Sequence, residues 1–217
     1  NDIANCYGID QEKISVVYNG VSNNFGPISS QEKLKYQQSY AKGKPYFIFV
    51  GSIHPRKNVE RLLTAYELFH KKHPEYQLLI VGSNMWRKQS LKVPEAIEEN
   101  VFFAGHVQME ALTKLMASAF ALVYPPYFEG FGIPLVEAMK CGVPILSSDR
   151  TCLPEVAGNA ALYFDPFDVV HMAKSMEEIT TNSAKREELI ENGLKKAQDY
   201  NWDKAASKTW EIIQEFL

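Results

Sequence analysis

Glu129 and Glu137 stand eight positions apart within residues 127–142, the stretch of this chain most able to do chemistry. The apolar run 120–124 before them reads as a buried strand, and Pro125-Pro126 stops it. Gly130 and Gly132 then open a loop whose backbone can come close to a ligand. Pro134 suits the start of a helix and Gly142 its end. Strand, glycine loop, then helix aims backbone N–H groups at an anion. Glu129 falls on that loop. Glu137 falls one turn into the helix, among Leu135, Val136, Ala138 and Met139, where a carboxylate needs a reason to be. The plain alternative is that Glu137 pairs with Lys140 on an exposed helix face, a contact worth a few tenths of a kcal/mol.

A second anion-binding element lies further upstream. The periodicity predicts a helix over residues 58–72, with Val59, Leu62, Leu63, Tyr66 and Phe69 on one face and Asn58 as its N-cap. Arg56 and Lys57 precede it, where the helix dipole already places positive charge. Two cations there cost stability unless an anion sits between them. Gly51 and Ser52, directly after the strand expected over 46–50, would shape a phosphate loop that Lys57 completes. Solvated side chains on a loop are the competing explanation.

Around these two elements the chain alternates. Strands are expected over 46–50, 77–81, 101–103, 120–124, 143–147 and 161–164. A short β-branched strand is expected over 14–18, ended by Asn19-Gly20. Helices are expected over 58–72, 109–118 and 132–140, near Pro154, within 31–40, and in part of 84–99. The last stretch, 201–217, repeats Trp202, Ala205, Ala206, Trp210, Ile213 and Phe216 at helical spacing, with both tryptophans as packing residues. The prediction is an α/β fold, a Rossmann-like parallel sheet with helices on both faces and a helical C-terminal tail. Ligands of such sheets bind beyond the carboxyl ends of the strands. The loops 51–58, 82–86, 105–107 and 127–132 should therefore converge on one crevice.

Composition sets the bounds. The 217 residues are 46% hydrophobic, enough for one core, and a net charge of −3 argues against non-specific nucleic-acid binding. Three cysteines without a Cys-x-x-Cys pair suit a reducing compartment, and the expectation is a soluble, cytoplasmic unit. The missing initiator Met suggests a piece of something longer. His54 and His106 lack metal-ligand spacing, so no metal site is expected. His70, His73 and His171 read as solvated, and Cys141 as structural. Glu155 reads as a first-turn helix acid.

Glu129-Gly130-Phe131-Gly132 followed by Glu137-Ala138-Met139 resembles the paired-glutamate signature of group 1 retaining glycosyltransferases with the GT-B fold. Residues 51–58, 103–107 and 149–158 resemble further blocks of that family, in its order. One departure is Ser52, where many relatives carry Arg; Arg56 is the candidate substitute. The resemblance implies the C-terminal half of a GT-B fold. Residues 1–21 would be the tail of a missing N-terminal domain, 22–45 a linker, 46–200 the donor-binding domain and 201–217 a helix crossing back. It implies that Lys57, helped by Arg56, neutralises a donor diphosphate, that Glu129 contacts sugar hydroxyls, and that Glu137 accepts from ribose. The N–H groups of Gly130, Phe131 and Gly132 would hold oxygens, while His106 and Val107 would line the base pocket.

The implied activity is transfer from a nucleotide-diphospho-sugar, GDP- or UDP-linked with GDP-mannose first, to a glycan or lipid-linked acceptor. No cofactor is implied. No Asp-x-Asp sequence occurs, so catalysis is expected to be metal-independent. The isolated domain is expected to be inactive alone, and the full enzyme could sit at the inner membrane surface. A GT-B-fold UDP-sugar epimerase and a non-catalytic nucleotide-binding module are the alternatives. A dinucleotide dehydrogenase fits poorly, because Leu135 stands where its fingerprint needs a third small residue.

Overall fold

The computed structural model describes residues 2–83 and 91–217. Six strands form one fully parallel sheet: β1 Tyr46–Val50, β2 Gln77–Val81, β3 Val101–Gly105, β4 Ala121–Tyr124, β5 Ile145–Ser148 and β6 Ala161–Phe164. Every residue of β1, β2, β4 and β5 is buried, so both faces of the sheet are covered. That is why these strands read in sequence as unbroken apolar runs rather than alternating ones.

The helices are α1 Asp2–Tyr7, α2 Ser30–Ala41, α3 Val59–His70, α4 Met109–Ser118, α5 Ile133–Lys140, α6 Leu153–Ala157, α7 Val169–Thr181, α8 Ser183–Lys196 and α9 Trp202–Gln214. The predicted stripe of α3 is buried throughout, and this helix packs on α7. The helix expected within 31–40 is α2, closed at its start by a reciprocal Ser29–Glu32 capping box. Of the helix expected within 84–99, only the short 3-10 turn Glu95–Asn100 appears; residues 84–90 lie outside those described. No described helix is long and apolar enough to cross a membrane.

The strand order is β3-β2-β1-β4-β5-β6. The order in which strands are added therefore reverses between β1 and β4, the topological switch point where such sheets open a crevice. The loops after these two strands are the ones carrying Lys57 and Glu129.

Several expectations fail, each for a tertiary reason. Residues 14–18 are extended but pair with no strand among the described residues. The segment is held by side chains instead: Tyr18 donates its hydroxyl to Glu155 at 2.5 Å, and its ring packs tilted against Phe131 and edge-on to Tyr200. Glu155 thus does more than sit in a first helical turn. Gly20 is needed for close approach, since a Cβ there would lie 2.4 Å from the backbone nitrogen of Trp202.

Asn58 is left-handed (φ 61°) and makes no side-chain cap. Its amide donates to the carbonyls of Pro125 and Pro166 at 3.1 and 2.7 Å, tying together the loops after β1, β4 and β6. His70 and His73 are half-buried rather than solvated; His70 meets the Tyr66 hydroxyl and His73 stacks on Phe69. Trp202 and Trp210 are 55% and 56% exposed, and no residue of α9 is buried. Cys141 is buried as expected of a structural thiol, and burial pushes its pKa up to about 12.

Candidate functional site

The loops after the strands converge through backbone hydrogen bonds. Gly82 N–H donates to Gly105 at 2.8 Å, Gly51 N–H to Val81 at 2.9 Å, and Ile53 N–H to Ser83 at 2.9 Å. Gly82 must be glycine, because a Cβ there would stand 2.0 Å from the Gly51 carbonyl oxygen. The loop after β4 joins this group through Tyr127 N–H, which donates to Arg56 at 3.1 Å, and through the Arg56 guanidinium, which donates to Phe128 at 3.1 Å.

Lys57 ends a short 3-10 turn, Pro55–Lys57, that His54 caps by accepting from Arg56 N–H. Its side chain is 9% exposed, and its ammonium donates to both the Glu129 carboxylate and the Tyr124 hydroxyl, the latter at 2.7 Å. Burial pulls the Lys57 pKa down, and the hydrogen bond and charge of Glu129 oppose that shift. Arg56, 40% exposed, reaches the same Glu129 oxygen at 3.1 Å. Tyr124 donates to that oxygen too, at 3.0 Å. One carboxylate thus pairs with both cations that the helix start brings together, leaving the cluster with a net positive charge. The anion expected between Arg56 and Lys57 is supplied in this structure by the protein's own Glu129.

The Glu129 backbone is fixed as firmly as its side chain. Its N–H donates to the Thr151 hydroxyl at 3.3 Å, and the Cys152 thiol donates to its carbonyl at 3.2 Å. Thr151 holds φ +55°, uncommon for a β-branched residue, so the turn after β5 is shaped to present both side chains. Beyond Glu129, no hydrogen bond among the described residues occupies the N–H groups of Gly130, Phe131 or Gly132. Gly132 opens α5 with φ +86°, and a Cβ there would meet Leu153 at 2.6 Å. These N–H groups belong to the loop that carries Glu129, directly before the start of α5.

Glu137 lies inside α5 and is 7% exposed, so it does not pair with Lys140 across a solvated face. Lys140 instead donates to the Ser22 carbonyl and the Asn23 side chain. Burial raises the Glu137 pKa to about 7. His106 is exposed and Val107 half-buried against the core, both just beyond β3. No ion pair or hydrogen bond among the described residues joins Glu137, His106 or Val107 to the Lys57 cluster. Ser52 is half-buried and contributes no charge, whereas Arg56 does stand beside Lys57.

Three contributors escaped the sequence reading. Tyr124 ends β4 as the one hydroxyl in Ala121-Leu122-Val123-Tyr124, and a polar tip at the carboxyl end of a strand was the available signal. Thr151 and Cys152 carried none, because their role depends on a left-handed turn.

The match to known proteins covers the same ground. Residues 30–196 fit the family model described as glycosyl transferases group 1. The O-antigen chain mannosyltransferase B of Escherichia coli is 32% identical over 96% of this chain and 56% of its own length. The O-antigen chain mannosyltransferase RfbU of Salmonella typhimurium is 36% identical over 77% of this chain and 44% of its own. The Anabaena protein HepE, solved in complex with UDP and glucose, has the same fold at a TM-score of 0.85 and 20% identity, over 96% of this chain and 59% of its own. The present chain spans about half the length of those curated relatives. Its sheet, helical flanks and C-terminal helix are those of one half of a GT-B fold. A family model covering three quarters of the residues, and a relative similar along nearly all of them, establish that this chain belongs to the group 1 glycosyl transferases.

Proposed function

We propose that the crevice at the β1–β4 switch point binds a nucleotide-diphospho-sugar, and that the chain is the donor-binding half of a retaining glycosyltransferase. The observation that carries this reading is the Glu129 carboxylate held by both Lys57 and Arg56, on a loop whose Gly130, Phe131 and Gly132 N–H groups have no hydrogen-bond partner among the described residues. Glycosyl transfer builds positive charge on the sugar and negative charge on the departing phosphate. Lys57 and Arg56 neutralise the diphosphate, and preorganised N–H donors hold its oxygens without reorganisation cost. As the diphosphate takes over the two cations, Glu129 is released toward the sugar hydroxyls. Glu137 accepts from the ribose, and the backbone at His106 and Val107 lines the base.

The donor we favour is GDP-mannose, because the two relatives described above are mannosyltransferases by name. The printed role of those relatives also favours an O-antigen-type glycan or lipid-linked acceptor, reached in the cytoplasm at the inner membrane surface. The missing N-terminal half would supply the acceptor site. It would dock on α9, where Trp202, Trp210 and Ile213 line an open groove of about 470 Å³ with Val17 and Tyr18. A GT-B-fold epimerase or a non-catalytic nucleotide-binding module is the alternative, and the paired glutamates with the Arg56-Lys57 pair favour the transferase.

The test is transfer by the complete enzyme from GDP-mannose to an isolated lipid-linked glycan, with the product linkage read by NMR. The expected product keeps the donor's anomeric configuration, and excess chelator leaves the rate unchanged, since no Asp-x-Asp sequence is present to bridge a metal. Inverted product or loss of activity with chelator would contradict the corresponding part of this reading.

A further inference from the structure

We propose that Tyr124 is a positioning residue for the transfer step, its hydroxyl holding the Lys57 ammonium in place when Glu129 turns to the sugar. The proposal rests on the donor-site reading above and concerns how that site keeps its principal cation aimed.

Packing alone asks for no hydroxyl at this position. All four residues of β4 are fully buried, and the Tyr124 ring stacks on Phe49 of the neighbouring strand at 6.2 Å. Phenylalanine would satisfy those contacts. A hydroxyl in that environment is costly unless it is hydrogen-bonded. Its two partners are the two ionised groups of the crevice, Lys57 at 2.7 Å and Glu129 at 3.0 Å. A phenol can accept from one and donate to the other at once. Burial and the neighbouring carboxylate push its pKa up, so it stays a neutral bridge over the working pH range.

The ammonium of Lys57 has three N–H groups. Tyr124 and Glu129 take one each, and the Tyr124 ring lies 5.1 Å from the nitrogen. One N–H is left for an incoming phosphate oxygen. Once the diphosphate displaces Glu129, Tyr124 is the remaining described side-chain contact that fixes the buried ammonium. Without it the flexible lysine stem samples other rotamers, and charge aimed at the leaving group is diluted where it matters, in the transition state.

The test uses the complete enzyme with GDP-mannose as donor and compares Tyr124→Phe, Lys57→Ala, the double variant and Phe49→Leu. Tyr124→Phe is expected to lower kcat roughly 10- to 100-fold while the donor KM moves by less than about twofold. In the Lys57→Ala background the same substitution should change kcat by less than about twofold, because its effect passes through Lys57. Phe49→Leu removes the ring stack and keeps the hydroxyl, so it should leave kcat near wild type. Unimpaired transfer by Tyr124→Phe beside a crippled Lys57→Ala would overturn the role of Tyr124 alone. So would an undiminished Tyr124→Phe effect in the Lys57→Ala background, or a Phe49→Leu loss equal to that of Tyr124→Phe. Wild-type transfer by Lys57→Ala would overturn the donor-site reading and the proposal with it.

Discussion

Replacing Lys57 with alanine is expected to lower kcat of the complete enzyme by about 10²- to 10³-fold, the usual cost of removing one preorganised charge from a transition state. Lys57 is the buried cation of the cluster, while Arg56 is 40% exposed and therefore more screened by water and salt. Arg56→Ala should accordingly cost less, about tenfold. The fold should survive the larger change. An orphaned buried carboxylate costs roughly 3–5 kcal/mol. Here Glu129 keeps Arg56 at 3.1 Å and Tyr124 at 3.0 Å, so the loss stays below that range. Steady-state kinetics beside a melting curve checks both statements. Equal losses from the two variants would place the leaving group nearer the surface than the geometry implies.

Glu137→Gln is expected to stabilise this chain and weaken its ligand binding at the same time. Burial holds the Glu137 carboxyl at about 7 rather than its ordinary 4.5. The folded state therefore binds a proton over that interval which the unfolded chain has already lost. Stability is full below the unfolded value and declines as pH rises toward the folded one, by about 3 kcal/mol in all. A neutral glutamine escapes that decline. Urea unfolding at pH 8 should show Glu137→Gln more stable by about 1–3 kcal/mol, with little difference at pH 4.5.

Binding should move the other way. Ribose hydroxyls donating to an ionised carboxylate form charge-assisted bonds worth about 1.5–3 kcal/mol, so nucleotide affinity should fall roughly 10- to 100-fold in the variant. Wild-type affinity should rise between pH 6 and 8, as binding releases the proton that burial retains. A flat stability difference across pH would show that Glu137 is not the buried titrating group. Keeping a destabilising residue for binding is the stability–function trade-off expected of a site.

The fold was legible because the strands are buried on both faces, which leaves unbroken runs such as Tyr46–Val50 and Gln77–Val81. Strand ends, once placed, put Lys57 and Glu129 at the same edge of the sheet. Residues whose role depends on distant chain were not legible. Asn58 has the composition of an N-cap, yet its amide serves Pro125 and Pro166 from other loops. Residues 14–18 have strand composition but pair with no strand among the described residues. Trp202 and Trp210 have core composition and face outward. Glu137 was ambiguous from spacing alone, since an i,i+3 lysine offers an equally cheap explanation. The structure removes that explanation by burying the carboxylate and sending Lys140 to Ser22 and Asn23.

The Lys57–Arg56–Glu129 cluster is proposed to be the diphosphate site. Calorimetric titration of this chain with GDP, UDP and ADP tests it most directly, with Lys57→Ala and Glu137→Gln alongside. The account predicts that GDP binds in preference to the other two and that both substitutions weaken it. Binding of a nucleotide that neither substitution disturbs would contradict it, because the ligand would then sit elsewhere than at the β1–β4 switch point.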